Sequence, residues 1–197
     1  MNHYINRKVE GIILEASQYF PVIIVTGPRQ SGKSTLIKHL FPDYIHYTLE
    51  DYDVREEASD DPKRFLQPQN NGMVIDEVQN VPQLLSYMQG IVDDQPNRRY
   101  VLSGSANFSI LRSVKQSLAG RAFIIDLLPL PLEEIAEKTE IVTTNHLLFT
   151  GLYPSVQSGE RPAKFMYPSY VRTYLERDVK NLISVRNIMQ FNLFLKV

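Results

Sequence analysis

The sequence has no cysteine in its 197 residues, which excludes disulfides and thiolate metal sites and is what a cytoplasmic protein would show. Net charge is nearly absent too. The 21 Lys and Arg against 22 Asp and Glu leave a formal charge of -1, so no global field draws in nucleic acid or an anionic membrane, and any such binding would have to be local. No apolar run approaches the roughly 20 residues that span a bilayer. Met1-Asn2-His3-Tyr4 lacks the basic-then-apolar layout of a secretory signal, so no membrane association is expected. The four histidines, His3, His39, His46 and His146, stand at no metal-ligand spacing, and a zinc site is not expected. What is present, 43% hydrophobic and 22% charged residues, suits one domain, or one domain with a small appendage, that buries a sizeable core.

Against this background one segment carries chemistry. Gly27-Pro28-Arg29-Gln30-Ser31-Gly32-Lys33-Ser34 fits GxxxxGK[ST] between an apolar β-branched run, Pro21 to Thr26, and a helical one, Thr35 to Phe41. Glycines at both ends let the backbone wrap, so that successive N–H groups point at phosphate oxygens while the next helix offers its positive N-terminus. Lys33 is placed to reach β- and γ-phosphates, and Ser34 to put a hydroxyl on Mg²⁺. The run from Gly27 to Thr35 is therefore the candidate nucleotide-binding set: Gly27, Pro28, Arg29, Gln30, Ser31, Gly32, Lys33, Ser34 and Thr35. An ordinary glycine-rich strand-to-helix turn would share the pattern without the ligand.

Along the chain, Ile5, Val9, Ile12, Ile13 and Ala16 stand at helical spacing and predict a helix within Tyr4 to Phe20. Beyond the loop, Tyr44 to Leu49, Gly72 to Asp76, Arg99 to Ser103 and Ala122 to Leu127 read as further strands alternating with helical segments. This alternation predicts a parallel sheet covered by helices on both faces. Pro129 and Pro131 break the pattern, and Leu132 to Lys138, Thr143 to Thr150 and Tyr170 to Ser184 read as helices. The expected organisation is an α/β core over 1–128 and a helical appendage over 129–197.

Two charged stretches invite other readings. Glu50 to Asp61 is strongly acidic but lacks the glycine at position six and glutamate at twelve of an EF-hand, so it is read as a solvated surface loop. Arg161 to Val197 is rich in basic residues, yet Arg172 with Glu176 and Glu176 with Lys180 stand four apart, as surface ion pairs do on a helix. A nucleic-acid role for this region has weak support, since its basic residues are few and partly paired.

Met73-Val74-Ile75-Asp76-Glu77 ends an apolar run in two adjacent carboxylates, at the strand edge where the phosphate loop also lies. Asp76 is the candidate metal ligand beside Ser34, and Glu77 the candidate base for the attacking water. Such a pair favours ATP over GTP, because a Ras-type GTPase would use a glutamine and a base-reading lysine motif. Ser103, in Val101-Leu102-Ser103-Gly104-Ser105, closes the next strand at the same edge and is the candidate sensor of γ-phosphate and water. A Ser-Gly-Ser turn bonded to its own backbone is the other reading. Arg121, opening the last core strand, is a candidate source of positive charge for phosphoryl transfer in its own subunit or a neighbour's; a plain surface arginine is the alternative.

Taken together, GPRQSGKSTL, VIDEVQ, LSGSANF, SLAGRA, LLPLPLEE, GLYPSV and YVRTYLERDV resemble the prokaryotic AAA+-like ATPases whose P-loop core precedes a C-terminal domain called DUF4143. The resemblance spans nearly the whole chain. It implies a Mg²⁺- and ATP-dependent core of the additional-strand type, with the sensor strand between the phosphate-loop strand and the Asp-Glu strand. Gly32, Lys33 and Ser34 would serve as phosphate and metal ligands, Asp76 and Glu77 as the acidic pair, and Ser103 as sensor. It also implies roughly another domain's length beyond Val197, where the chain stops inside the apolar stretch Phe191 to Leu195, as a truncated chain would. Ser103 and Leu152 depart from the family pattern, which has Thr and Gly there. The expected activity is ATP hydrolysis coupled to an unknown protein partner, in a monomer or a homo-oligomer. An ATP-binding switch with little or no hydrolysis stands as the alternative, and a small-molecule kinase with Arg112 and Arg121 as lid arginines is a third reading that the Asp-Glu pair fits less well.

Overall fold

A computed structural model of the chain describes residues 4–67, 72–104, 117–136 and 143–174. Strand β1 (Val22–Thr26) reads VIIVT and is buried at every position. It has parallel neighbours on both sides, β4 (Tyr100–Ser103) and β5 (Ala122–Asp126). A strand inside a parallel sheet is covered on both faces, so it runs apolar without alternation. β3 (Met73–Asp76) pairs with β4 and β2 (Ile45–Thr48) with β3, again parallel, giving the order β2-β3-β4-β1-β5. This is the α/β architecture of P-loop NTPases, with β4 standing between β1 and β3.

Because side chains alternate along a strand, β1 feeds two cores. Ile23 and Val25 pack with Val74 and Val101 against Ile13 and Ala16 of α1 (Glu10–Tyr19) and Leu36 and Ile37 of α2 (Lys33–Leu40). Val22 and Ile24 point the other way. They join Ile75 and Leu102 under α3 (Tyr52–Asp60), α4 (Pro62–Phe65) and α5 (Leu84–Asp94), whose Ala58, Phe65 and Met88 complete that layer. Truncating a fully buried member such as Ile24 or Ile75 to Ala costs about 2–5 kcal/mol.

Two elements of the sheet-bearing core differ from the sequence expectation. The first helix starts only at Glu10, because the Glu10 carboxylate accepts from the Arg7 backbone N–H (2.6 Å) and the Tyr4 hydroxyl (2.7 Å), which draws the preceding residues aside as an irregular arm. The acidic stretch expected as a loop is in fact helix α3. Asp51 caps it, accepting from Asp53 N at 3.0 Å, and Val54 and Ala58, four residues apart, turn towards the core while the acids face out.

After β5 come α6 (Leu132–Ala136), α7 (Thr144–Thr150), α8 (Pro154–Gln157) and α9 (Ala163–Tyr174). Thr143 caps α7 by accepting from His146 N (3.3 Å). α9 begins at Ala163 rather than Tyr170 and passes through Pro168; its expected continuation to Ser184, with Glu176 and Lys180, lies outside the described residues. Gly151 closes α7 at φ 62, and a side chain there would overlap the Tyr167 hydroxyl, which donates to the Thr150 carbonyl at 2.7 Å. This knot ties α7 to α9 and leaves the Pro154 ring beside Gly32 of the phosphate loop. Among the described residues no helix is long and apolar enough to cross a membrane.

Candidate active site

The loop between β1 and α2 leaves the sheet at its C-terminal edge. Gly27 has φ 145, and a Cβ there would strike the Leu127 carbonyl oxygen, so only glycine fits. Gln30 (φ 62) and Gly32 (φ 95) also take left-handed values, reversing the chain before α2 begins. Lys33 is 6% exposed, and its Nζ donates back to the Gly27 and Pro28 carbonyls, each at 3.0 Å. Burial lowers its pKa; Glu77 and Asp76 oppose the shift and Arg29 adds to it.

Asp76 ends β3 and is gripped on both carboxylate oxygens. Ser34 Oγ donates to Oδ2 at 2.6 Å; the Ser103 hydroxyl and the Glu77 backbone N–H (3.1 Å) reach Oδ1. Parallel pairing brings this about: β1, β3 and β4 all end at one edge, so the last residue of each strand and the loop beyond it converge there. Glu77 itself sits at φ 58, ψ 44, a left-handed conformation that costs a non-glycine residue about 1–3 kcal/mol. Its carboxylate is held by the Gln79 side-chain amide.

A cavity of about 770 Å³ opens over this edge. Of the predicted loop residues, Arg29, Gln30, Gly32, Lys33, Ser34 and Thr35 line it, together with Asp76 and Glu77. Gly27 and Pro28 contribute the carbonyls that hold Lys33, and Ser31 is fully buried beneath. Ser103 touches the site through Asp76, and both also border a smaller cavity of about 100 Å³ on the α2 side. The far wall comes from the arm and the appendage, with Tyr4, Ile5, Leu130, Pro154 and Tyr170.

Arg121 does not join this site. It precedes Ala122, which pairs with Val22 at the start of β1, and at about 3.3 Å per residue it stands roughly 15 Å from the loop at the opposite edge. There it forks the Asp93 carboxylate at 2.6 and 2.8 Å and holds that carboxyl below its usual pKa. The expectation that Arg121 could serve its own subunit is corrected by strand direction: in a parallel sheet, residues before a strand and residues after one lie on opposite edges. Ser105 and Arg112 lie outside the described residues.

Three residues that the sequence did not single out belong to the site. Gln79 holds Glu77. Arg7, 7% exposed, reaches the loop from the N-terminal arm, donating to the Ser31 carbonyl at 2.9 Å, and Glu134, 3% exposed, pairs with it at 2.7 Å.

A parallel sheet with an added central strand, a glycine-hinged loop at its C-terminal edge and an acidic pair on the neighbouring strand define the P-loop ATPase class. Residues 19–136 match the AAA domain family AAA_14, and the chain belongs to that family. Two relatives, uncharacterized proteins of Mycobacterium bovis and Mycobacterium tuberculosis, are each 30% identical over 166 residues, or 82% of this chain and 37% of theirs. The chain thus spans little more than a third of the length of these relatives. Among solved structures, a Walker-type ATPase of Pyrococcus abyssi has a TM-score of 0.57 at 16% identity, covering 90% of this chain and 77% of its own, and shares the fold. A signal transduction ATPase with a tetratricopeptide repeat sensor from Pyrococcus horikoshii has a TM-score of 0.47 at 18% identity, over 78% of this chain and 29% of its own.

Proposed function

We propose that this chain binds ATP with Mg²⁺ and hydrolyses it to ADP and phosphate. The observation that supports the reading most is convergence: Ser34 and Ser103, from different elements, meet on the one Asp76 carboxylate at the mouth of a cavity whose buried lysine is bonded to its own loop's carbonyls. A triphosphate offers Lys33 stronger, charged acceptors than those carbonyls. Ser34 and Asp76 are hard oxygen donors within hydrogen-bond reach of each other, a set that suits Mg²⁺. When bound, the ion would neutralise charge that develops on the phosphates.

In the proposed reaction Glu77 takes a proton from a water whose oxygen attacks the γ-phosphorus. The bond to the β,γ-bridging oxygen breaks, and ADP leaves with the electron pair. Lys33 and the loop amides hold the transferring group, and Ser103 orients Asp76; positioning and electrostatics supply most of the rate. Arg121 would act on a neighbouring copy, and an unknown protein partner would use the energy.

One observation favours a second reading. The Glu77 carboxylate is tied to Gln79, which suits an ATP-binding switch that hydrolyses slowly until the tie is released. Phosphate release under Mg²⁺-ATP separates the two. Glu77→Gln is expected to bind ATP with natural affinity and turn over at least about tenfold more slowly, as loss of a general base requires. Turnover equal to that of the natural chain would remove Glu77 from its role, tight binding without turnover would select the switch, and no heat on mixing with ATP or ADP would end both readings.

A further inference from the structure

Arg7 is a buried cation that the proposed hydrolysis leaves without work. All three of its guanidinium nitrogens donate, and to three separate elements. Nε donates to Glu134 Oε2 of α6 (2.7 Å), Nη1 to the Ser31 carbonyl in the phosphate loop (2.9 Å) and Nη2 to the Leu128 carbonyl in the segment leaving β5 (2.7 Å). Glu134 uses its other oxygen to accept from the Lys8 backbone N–H (2.7 Å). The Arg7 backbone N–H is fixed in turn by Glu10. A planar fork with fixed donor directions cannot follow one partner without disturbing the others.

The Ser31 contact matters because Ser31 C=O and Gly32 N–H belong to one planar peptide. Holding the carbonyl sets the direction of an amide in the phosphate cradle. The same guanidinium holds Leu128, the point at which the chain passes from the sheet to the helices that form the far wall of the cavity. Glu133 and Glu134 then open α6, and Lys8 pairs with the exposed Glu133 as Arg7 does with the buried Glu134.

We propose that Arg7 is a positioning residue that couples occupancy of the phosphate loop to the 127–136 segment, so that a bound phosphate is felt where the helical appendage begins. Ligand that reorients the Ser31–Gly32 peptide must move Arg7, and with it Leu128 and α6. The coupling is reciprocal: an appendage held in place from outside would tune the affinity of the loop. The inference rests on the nucleotide reading of the cavity.

Hydrogen exchange with and without ATP, on the natural chain and on Arg7→Lys, tests it. Lysine keeps a positive charge opposite Glu134, so the buried carboxylate is not stranded, but a single ammonium cannot serve three diverging acceptors. In the natural chain ATP is expected to slow exchange over 27–35 and to change it over 127–136. In Arg7→Lys, with natural circular dichroism, affinity falls about tenfold, within the usual range of intersite coupling. At saturating ATP the loop is still protected while 127–136 no longer responds. A natural chain whose loop shows no response to ATP would sink the nucleotide reading, and this inference with it. A natural chain protected at 27–35 but unchanged at 127–136, or an Arg7→Lys chain whose 127–136 segment responds as the natural one does, would overturn the coupling alone. Should Arg7→Lys not fold, Glu134→Gln replaces it: the amide keeps the volume and one acceptor, and the same loss of response at 127–136 is expected.

Discussion

The two edges of the sheet are made from the same five strands and differ in almost everything else. At the N-terminal edge charges are exposed and paired, as in Arg121 with Asp93, while the side chains that fill the interior there, such as Val22 and Tyr100, are held by packing or by one backbone bond: the Tyr100 hydroxyl donates to the Leu66 carbonyl at 2.6 Å. At the C-terminal edge polar side chains are buried instead, namely Thr26, Ser31, Lys33 and Ser103, and the backbone is bent into left-handed conformations at Gln30 and Glu77. The first edge is arranged as stability would have it. The second keeps a desolvated ammonium and a strained glutamate, costs that a ligand able to bond them would offset.

The contrast is broken most sharply at Lys33. Lys33→Met keeps the apolar stem and removes the charge, and ATP affinity is expected to fall by about a hundredfold or more, as when one partner of a buried charge pair is removed. The thermal midpoint of the nucleotide-free protein should hold or rise. Burial lowers the pKa of Lys33, so at neutral pH the charged form costs the fold stability, a cost relieved only as pH climbs towards the ordinary 10.5 of a lysine. A large drop in midpoint would mean that Lys33 serves the fold rather than a phosphate.

A smaller effect sharpens the same point without mutation. A triphosphate beside Lys33 raises the pKa that burial has lowered. Between the two values binding takes up a proton, and affinity weakens as pH rises through the ligand-free value. Calorimetry at alkaline pH, below the ordinary 10.5 of a lysine, should therefore give an apparent heat that depends on the ionisation heat of the buffer. A buffer-independent heat would place the titration of Lys33 elsewhere.

How much of this was legible in the sequence depends on how local each signal is. The phosphate loop is contiguous, and the left-handed values at Gly27 and Gly32 are what its glycines foretell. Asp76 and Glu77 announced themselves as carboxylates ending an apolar run. The insertion of β4 between β1 and β3 came only through family resemblance, because hydropathy says which segments are strands and not which are neighbours. Asp51 caps α3, but the density of acids around it read as loop. Arg7 and Glu134 stand 127 positions apart; Glu134 closes the LLPLPLEE motif of the family resemblance, but an arginine in a helix-like arm and a glutamate at a helix start both look like surface residues, and nothing in the sequence pairs them. Gln79 closes the VIDEVQ motif of the family resemblance, two residues from the candidate base, but an amide there announces no role of its own.

Arg121 is a different case, since its placement was implicit in the sheet direction that the sequence did predict. Once all strands run one way, the residue before β5 must lie at the edge opposite the residue after β1. The smallest expected effect comes from that placement. In dilute protein Arg121→Ala should leave ATP affinity unchanged, because the site in its own chain is far away, and lose only an exposed pair with Asp93, worth little in water. Any role in catalysis must then appear in the dependence of rate on concentration. If a copy's Arg121 reaches a neighbour's γ-phosphate, turnover per molecule in the natural chain rises with protein concentration, and Arg121→Ala stays flat. If both chains give the same concentration-independent rate, the two edges do not meet in an assembly through this residue, and Arg121 is a surface arginine that secures the turn into β5.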